Sequence, residues 1–466
     1  MAQCKDVLAI SDPAAGTVAQ MDPDVIFKAY DIRGRTDTGE LDAELYLRVG
    51  SAVVSLLEVP EIAIGYDCRS TSRTFFEAMA KGVTGAGGNV VDLGEVPTDA
   101  VYFYSGAHEM PGAIITASHN PPQYNGLKLC RAGAAPIGWE SGLSQIKDLV
   151  LETQPALAAR SGSIRSVDIV DDYVEHLFGI VDAGSIRGLR VAVDGGNGMA
   201  GVAIHQVFAR LEANLTGLYL EPDGTFPNHP ADPLVVENLA DLVDMMTEGD
   251  FDIGVAFDGD ADRAFFLDNS GEPLSGSTVT SLIARRMLVD NAGGSVVHNL
   301  ITSKAVPEIV KEAGGNPVRT RVGHSYIKAV MAETGAVFGG EHSGHYYFRD
   351  NYRADSGMLA MLVLLSVLSE DGRPMDELRR DVERYAASGE INFTVVDQNA
   401  AMKSVEETFA GATIDNLDGL TVDFGPEWFN LRPSNTEPLL RLNVEAEDPD
   451  RVAMLVSKVQ TTLERF

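Results

Sequence analysis

Val191-Ala192-Val193, ending at Asp194, is a short apolar run that stops in a polar loop, and the same figure recurs at Ile62-Ala63-Ile64 before Asp67 and at Ser295-Val296-Val297 before Asn299. Runs of this kind, rich in Val and Ile and followed by helical patterning, mark βα units with parallel strands. The class is therefore α/β, and three such openings imply three similar domains. The expected boundaries are the polar, small-residue stretch Ala158 to Ser166, the turn Asp268-Asn269-Ser270-Gly271 and the break Glu370-Asp371-Gly372-Arg373-Pro374. They divide the chain into 1–164, 165–270, 271–378 and a smaller α+β domain, 379–466, which closes on an amphipathic pattern from Val452 to Leu463. The longest apolar run, Met358 to Leu368, is too short to span a bilayer and reads as a buried helix.

Composition narrows the function. The chain has 466 residues, 45% of them hydrophobic, which suits several globular domains with sizeable cores. Its 68 acidic and 36 basic residues give a formal charge of -32, which disfavours attraction to nucleic acid or anionic lipid. If the ligand is an anion, the few cations must gather where it sits, so arginines in loops marked by glycine or proline are informative. Cys4, Cys68 and Cys130 have neither a disulfide framework nor zinc spacing, which fits a reducing compartment. The N-terminal residues, with Lys5, Asp6, Asp12 and Asp22, do not read as a signal peptide, so a cytoplasmic location is expected.

Four stretches carry chemistry. Gly112-Ala113-Ile114-Ile115 runs as a strand into Thr116-Ala117-Ser118-His119-Asn120-Pro121, which places Ser118 just past a strand end, where a nucleophile or a turn cap would fit. Ile253 to Phe257 is another strand, ending in Asp258-Gly259-Asp260-Ala261-Asp262-Arg263. Three carboxylates in five residues repel one another unless a hard cation such as Mg²⁺ neutralises them. A calcium-binding EF-hand is excluded because Arg263 stands at the required glycine and Asn269 at the closing glutamate. A phosphoserine would complete the shell of such an ion, with Arg263 placed to hold a transferring phosphoryl group. The apolar run Ala336-Val337-Phe338 leads into Gly339-Gly340-Glu341-His342-Ser343-Gly344-His345, whose side chains suit sugar hydroxyls and, at His345, proton transfer. Finally, Leu431-Arg432-Pro433-Ser434-Asn435-Thr436-Glu437-Pro438, with Arg441 after it, has the donors of an anion cradle or of an ordinary proline-bounded turn. Two smaller pieces are Ala29-Tyr30-Asp31-Ile32-Arg33-Gly34 and the strand Asn125 to Leu129, on which Lys128 would face away from Leu127 and Leu129.

These residues resemble the α-D-phosphohexomutase superfamily, and within it the bacterial phosphomannomutase/phosphoglucomutase branch; all four loops occur in the family's order over nearly the whole chain. The resemblance implies three α/β domains with mixed sheets and a C-terminal α+β domain, each giving one loop to a central cleft. It implies that Ser118 is the phosphoserine and that Asp258, Asp260, Asp262 and the phosphoserine hold Mg²⁺. It makes Arg263 the support of the reacting phosphoryl group, Lys128 and His345 the proton-transfer residues, and Arg33 and Tyr30 the lining of the reaction centre. His324, in Gly323-His324-Ser325, would lie near the sugar; Glu341 and Ser343 would bind its 3- and 4-hydroxyls; Arg432, Ser434, Asn435 and Thr436 would clamp the phosphate that is not reacting, with Arg441 beside them. The implied reaction interconverts hexose 1-phosphate and hexose 6-phosphate, of mannose and of glucose, through a hexose 1,6-bisphosphate. The implied partners are small-molecule hexose phosphates, with no nucleic acid or membrane, and the chain is expected to be a monomer or a weak homo-oligomer.

The sugar loop, Glu341-His342-Ser343-Gly344-His345, differs from glucose-specific phosphoglucomutases, which usually lack the closing His, and from phosphoglucosamine mutases, which usually carry Gln after the Glu. Phosphoglucosamine mutase activity, a non-catalytic sugar-phosphate sensor and a metal-dependent phosphomonoesterase are the alternatives. Intact Ser118, Lys128 and the Asp trio argue against the sensor.

Overall fold

The short Val- and Ile-rich runs become buried central strands flanked by helices, in a computed structural model that describes residues 22–152, 154–434 and 439–466. In the first sheet Glu61–Tyr66 pairs in parallel with Asn89–Glu95 on one side and Gly112–Ile115 on the other, and Ile164–Ser166 extends the edge in parallel. Tyr124–Arg131 then returns antiparallel along Gly112–Ile115 and carries Ile32–Arg35 on its outer side. The second sheet repeats the plan: Arg187–Asp194 runs parallel to Glu212–Leu218 and Ile253–Phe257, and Ala264–Leu267 returns antiparallel along the latter. In the third, Ser295–Asn299 runs parallel to Asn316–Thr320 and Phe338–Gly340, and Tyr346–Phe348 returns antiparallel. The fourth sheet is wholly antiparallel, with Ala386–Phe393, Leu440–Ala446, Trp428–Pro433, Leu420–Asp423 and Thr413–Asp415 in spatial order.

One consequence of this topology places the site. In every sheet the loop that carries chemistry closes a hairpin: 116–123, 258–263, 341–345 and 434–439 each join two adjacent antiparallel strands. A hairpin anchors both ends of its loop to a buried ladder, which restrains the side chains next to those ends. The third hairpin differs from the sequence expectation in register. Its first strand is Phe338–Gly340, which begins only at the last residue of the apolar run Ala336-Val337-Phe338. Apolar character reports burial, and Ala336 and Val337 are buried ahead of the ladder rather than in it. The strand itself is glycine because a Cβ on Gly340 would come within 2.3 Å of Thr280 Oγ1 on the helix Gly276–Asp290.

The apolar run Met358 to Leu368 lies within the helix Gly357–Asp371, whose residues from Gly357 to Ser366 are all buried. Ser356 caps its start by accepting a hydrogen bond from the Leu359 amide, and Gly372, in the left-handed region at φ 77°, ends it. A helix apolar on every side must be enclosed, and this one is surrounded by the core that joins the first three domains. That core includes Ile114 and Val91 of the first sheet, Val193 and Phe257 of the second, and Val296 and Phe338 of the third. The C-terminal domain has a separate core, with Phe429, Leu431 and Leu442 packed on Leu455, Val459 and Leu463 of the closing helix Pro449–Leu463. Its links to the third domain include polar ones: Lys304 donates from its amide to Glu445 Oε1 at 2.9 Å and from Nζ to Asp423 Oδ1 at 2.7 Å. Polar contacts of this kind suit a domain that moves as a unit. Among the described residues no helix is long and apolar enough to cross a membrane.

Candidate active site

The serine loop and the acidic loop meet. Ser118 is buried, with a positive φ of 50°, a conformation uncommon outside glycine that turns its side chain out of the line of the strand. Thr116 Oγ1 accepts from the Ser118 amide at 2.9 Å. The Ser118 hydroxyl donates to Asp258 Oδ2 at 2.7 Å and accepts from Arg263 Nη2 at 3.3 Å. The approach is close because residue 259 is glycine, where a Cβ would lie 2.5 Å from the Ser118 carbonyl oxygen. Lys128, projecting from Tyr124–Arg131 between buried Leu127 and Leu129, donates to Asp260 Oδ2 at 2.7 Å and Asp262 Oδ2 at 2.5 Å.

Asp258, Asp260 and Asp262 are all buried; Lys128 pairs with Asp260 and Asp262, and Arg263 with Asp258. Burial pushes the Asp258 carboxyl up to about 7, against the pull of Arg263. Burial would also raise Asp260, but Lys128 outweighs it and holds that carboxyl below its ordinary range. Conversely, burial would depress the Lys128 ammonium, and Asp260 and Asp262 hold it well above its ordinary value. One carboxylate oxygen from each of the three aspartates lies within 4.8 Å of the others, and Asp260 Oδ1 and Asp262 Oδ1 are buried without a hydrogen-bond partner among the described residues. Orphaned buried carboxylate oxygens are costly unless a cation takes them. An all-oxygen set fits a hard divalent ion, so this cluster can hold a metal.

The sugar loop joins this centre from the other side. Arg263 and His345 form an isolated antiparallel bridge, which fixes the third hairpin against the second. His345 Nε2 lies 3.9 Å from Asp262 Oδ1, and its Nδ1 is 3.0 Å from Ser343 Oγ. Glu341 is buried; its Oε1 accepts from the Gly323 amide at 3.0 Å and its Oε2 from the Tyr347 hydroxyl at 2.7 Å. Arg33 donates to Asn120 Oδ1 at 2.7 Å, which ties it to the serine loop, and to Asp31 Oδ2 at 2.6 Å. Tyr30 is half-buried beside Tyr326, 6.4 Å between ring centroids, and burial, Tyr326 and Glu341 push its hydroxyl up to about 12. His324 begins the helix His324–Thr334, but its side chain lies outside the described residues.

On the fourth hairpin Arg432 and Arg441 both face Glu390, at 3.3 and 3.1 Å. Arg432 lies near enough to the sugar loop for Glu341 to act on its charge, although burial is the larger influence and lowers it. The Ser434 amide donates to the Leu439 carbonyl at 2.8 Å. Asn435 and Thr436 lie outside the described residues.

Three supports of the site were not singled out from sequence. Arg69, with a wholly buried side chain, donates through Nη2 to the carbonyls of Ser118 at 2.7 Å and Asn120 at 2.6 Å, and through Nη1 to those of Pro121 and Tyr124 at 2.8 and 3.1 Å. Its one available signal was its place two residues after Asp67, the polar stop of the first apolar run. Thr98 donates to Asp260 Oδ2 at 2.6 Å, and nothing in the local pattern distinguishes it from any helix-starting threonine. Lys328 and Asp355 form a buried ion pair at 2.8 Å, with Asp355 4.0 Å from His345.

A buried serine facing a metal-capable carboxylate cluster, beside loops suited to sugar and phosphate, defines a phosphotransfer enzyme acting on sugar phosphates. The family models for phosphoglucomutase/phosphomannomutase match in order: alpha/beta/alpha domain I over residues 24–156, domain II over 171–271, domain III over 275–385 and the C-terminal domain over 390–461. A phosphomannomutase from Escherichia coli K12 is 37% identical over 448 residues, covering 94% of this chain and 98% of the relative. The phosphohexose mutases of Xanthomonas campestris are 39% identical over 438 residues, covering 93% of this chain and 97% of theirs. The crystal structure of a phosphoglucomutase/phosphomannomutase family protein from Burkholderia thailandensis superposes with a TM-score of 0.88 at 30% identity, covering 96% and 98% of the two chains. The chain belongs to the phosphoglucomutase/phosphomannomutase family. Its activity is that of a hexose phosphate mutase, an intramolecular phosphotransferase.

Proposed function

We propose that Ser118 carries the transferring phosphoryl group and that the enzyme interconverts the 1- and 6-phosphates of mannose and glucose through a hexose 1,6-bisphosphate. The observation that carries this reading is the Ser118 hydroxyl itself, buried and held between Asp258 and Arg263 at the junction of two loops. Mg²⁺ is the ion suited to Asp258, Asp260, Asp262 and the phosphorylated serine, and when bound it supplies charge neutralisation for phosphoryl transfer. Arg263 takes up negative charge on the phosphoryl oxygens as the sugar hydroxyl attacks phosphorus and the bond to Ser118 Oγ breaks. His345, whose Nδ1 meets Ser343 Oγ, accepts the proton of the attacking hydroxyl at Nε2, and Lys128, the other proton-transfer residue, gives a proton to the departing Ser118 oxygen so that the serine hydroxyl is restored. Arg33 orders the serine loop through Asn120. Glu341 and Ser343 bind the 3- and 4-hydroxyls, His324 and Tyr30 line the sugar, and Arg432, Arg441, Ser434, Asn435 and Thr436 hold the phosphate that is not reacting. The free thiols Cys68 and Cys130 support a cytoplasmic enzyme, which we take to act as a monomer or weak homo-oligomer.

Mannose and glucose differ only at C2, and the bisphosphate must bind in two opposite orientations. A tight contact at C2 in one orientation would be misplaced in the other, so C2 recognition is loose. Mannose 1-phosphate and glucose 1-phosphate, assayed side by side with Mg²⁺ and a trace of hexose bisphosphate, should both be isomerised, and Ser118→Ala should isomerise neither. Release of inorganic phosphate without isomerised sugar would indicate a phosphomonoesterase instead. A kcat/KM ratio beyond about a thousandfold between the sugars, equivalent to about 4 kcal/mol in transition-state binding, would defeat the dual-substrate reading.

A further inference from the structure

Arg432 and Arg441 occupy directly opposed positions on neighbouring antiparallel strands, Trp428–Pro433 and Leu440–Ala446. Like charges placed so are unfavourable unless something answers them. The answer comes from the next strand, Ala386–Phe393, where Glu390 stands on the far side of Leu440–Ala446, in register with Asn443. Its carboxylate reaches diagonally across the central strand, giving Oε1 to Arg441 Nη1 at 3.1 Å and Oε2 to Arg432 Nη2 at 3.3 Å. One planar anion thus bridges two guanidinium groups, as a phosphate would. Arg432 is not satisfied by it: its side chain is buried, and among the described residues its Nε has no hydrogen-bond partner.

We propose that Glu390 is a built-in surrogate anion that competes with the distal phosphate of the substrate and sets how readily the clamp lets it go. The inference rests on the reading of Arg432 and Arg441 as the phosphate clamp. By contacting both guanidinium groups, Glu390 offsets part of the positive charge they offer an incoming phosphate. The reaction needs this restraint, because each turnover exchanges the phosphates between the clamp and the reaction centre. A clamp that bound either phosphate too firmly would lower KM and, by holding the bisphosphate in one orientation, lower kcat with it. Glu390 also keeps both forks aligned while the seat is empty, and its side chain, 26% exposed, can swing toward solvent when phosphate arrives.

Glu390→Gln keeps the shape and removes the charge. It should lower the KM for glucose 1-phosphate and the inhibition constant of inorganic phosphate by about tenfold each, with kcat falling by a comparable factor; tenfold corresponds to about 1.4 kcal/mol. Glu390→Asp, which retains the charge, should stay nearer the parent in both. A merely structural role would give the opposite sign, with KM rising as the arginines lose their support. Arg432→Ala, measured alongside, separates the two claims. An unchanged KM in Arg432→Ala refutes the clamp; a raised KM there, with an unchanged or raised KM in Glu390→Gln, refutes the surrogate anion alone.

Discussion

Replacing Arg69 with Met should cripple the enzyme although Arg69 touches none of the reacting groups. Its guanidinium holds four carbonyls of one loop, those of Ser118, Asn120, Pro121 and Tyr124, and bonds through Nε to Asp67 Oδ2 at 3.0 Å. Phe226 covers its other face, with the guanidinium carbon 4.9 Å from the ring centroid. Methionine matches much of the volume but leaves Asp67 as a buried carboxylate without its cation. Breaking a buried ion pair from one side costs about 3–5 kcal/mol of stability. The serine loop then loses the group that fixes its curvature, and a displacement of about 1 Å at a reacting atom costs about a hundredfold in rate. Arg69→Lys keeps the charge without the planar fork and cannot reach all four carbonyls. Both variants should therefore show kcat reduced by about a hundredfold or more, with the larger loss of thermal stability in the Met variant. Steady-state kinetics with saturating Mg²⁺, combined with thermal melts, make the measurement. A lysine variant with parental kcat would show that charge alone positions the loop and would refute the argument from geometry.

Asp260→Asn should raise the Mg²⁺ concentration needed for half-maximal activity by at least about tenfold, since a neutral amide cannot balance a divalent ion; an unchanged magnesium titration would remove Asp260 from the metal set. Asp99, next in the chain to Thr98 and within reach of the charge on Asp262, tests linkage at a buried carboxyl that is not itself one of the three clustered aspartates. It accepts from Tyr173 Oη and Ser356 Oγ, and burial raises its carboxyl to about 7 from an ordinary 3.8. A raised carboxyl stabilises the fold while protonated, so its contribution is full below about pH 4 and is lost as pH rises through about 7, amounting at most to about 4 kcal/mol. Asp99→Asn, which stays neutral, should gain on the parent in denaturant unfolding between pH 5 and pH 8, and a constant difference across that range would contradict the assignment.

The sequence by itself determined the elements whose cause is local. Short runs such as Val191-Ala192-Val193 became central strands because β-branched residues suit a ladder covered on both faces. Met358 to Leu368 had to be enclosed because it has no polar side. The spacing of Asp258, Asp260 and Asp262 set three mutually repelling carboxylates into one turn, a cluster able to hold a cation, and Lys128 faced away from Leu127 and Leu129 through the two-residue period of a strand. What only the tertiary structure decided were the contacts between residues far apart in the chain. Lys128 meets Asp260 and Asp262 because the first and second sheets share a core, and Arg263 meets His345 because the third sheet shares it too. Arg69 and Thr98 carry no local pattern, since their role consists in what they reach: carbonyls about fifty residues away in one case and a carboxylate in another domain in the other. Glu390 is the clearest instance. In sequence it is one glutamate among many, and it acquires meaning only when three strands of one sheet set its carboxylate between two arginines. Local patterning fixes what an element is, because the chain's own periodicity dictates which faces can be buried; which charges must answer one another is fixed by packing.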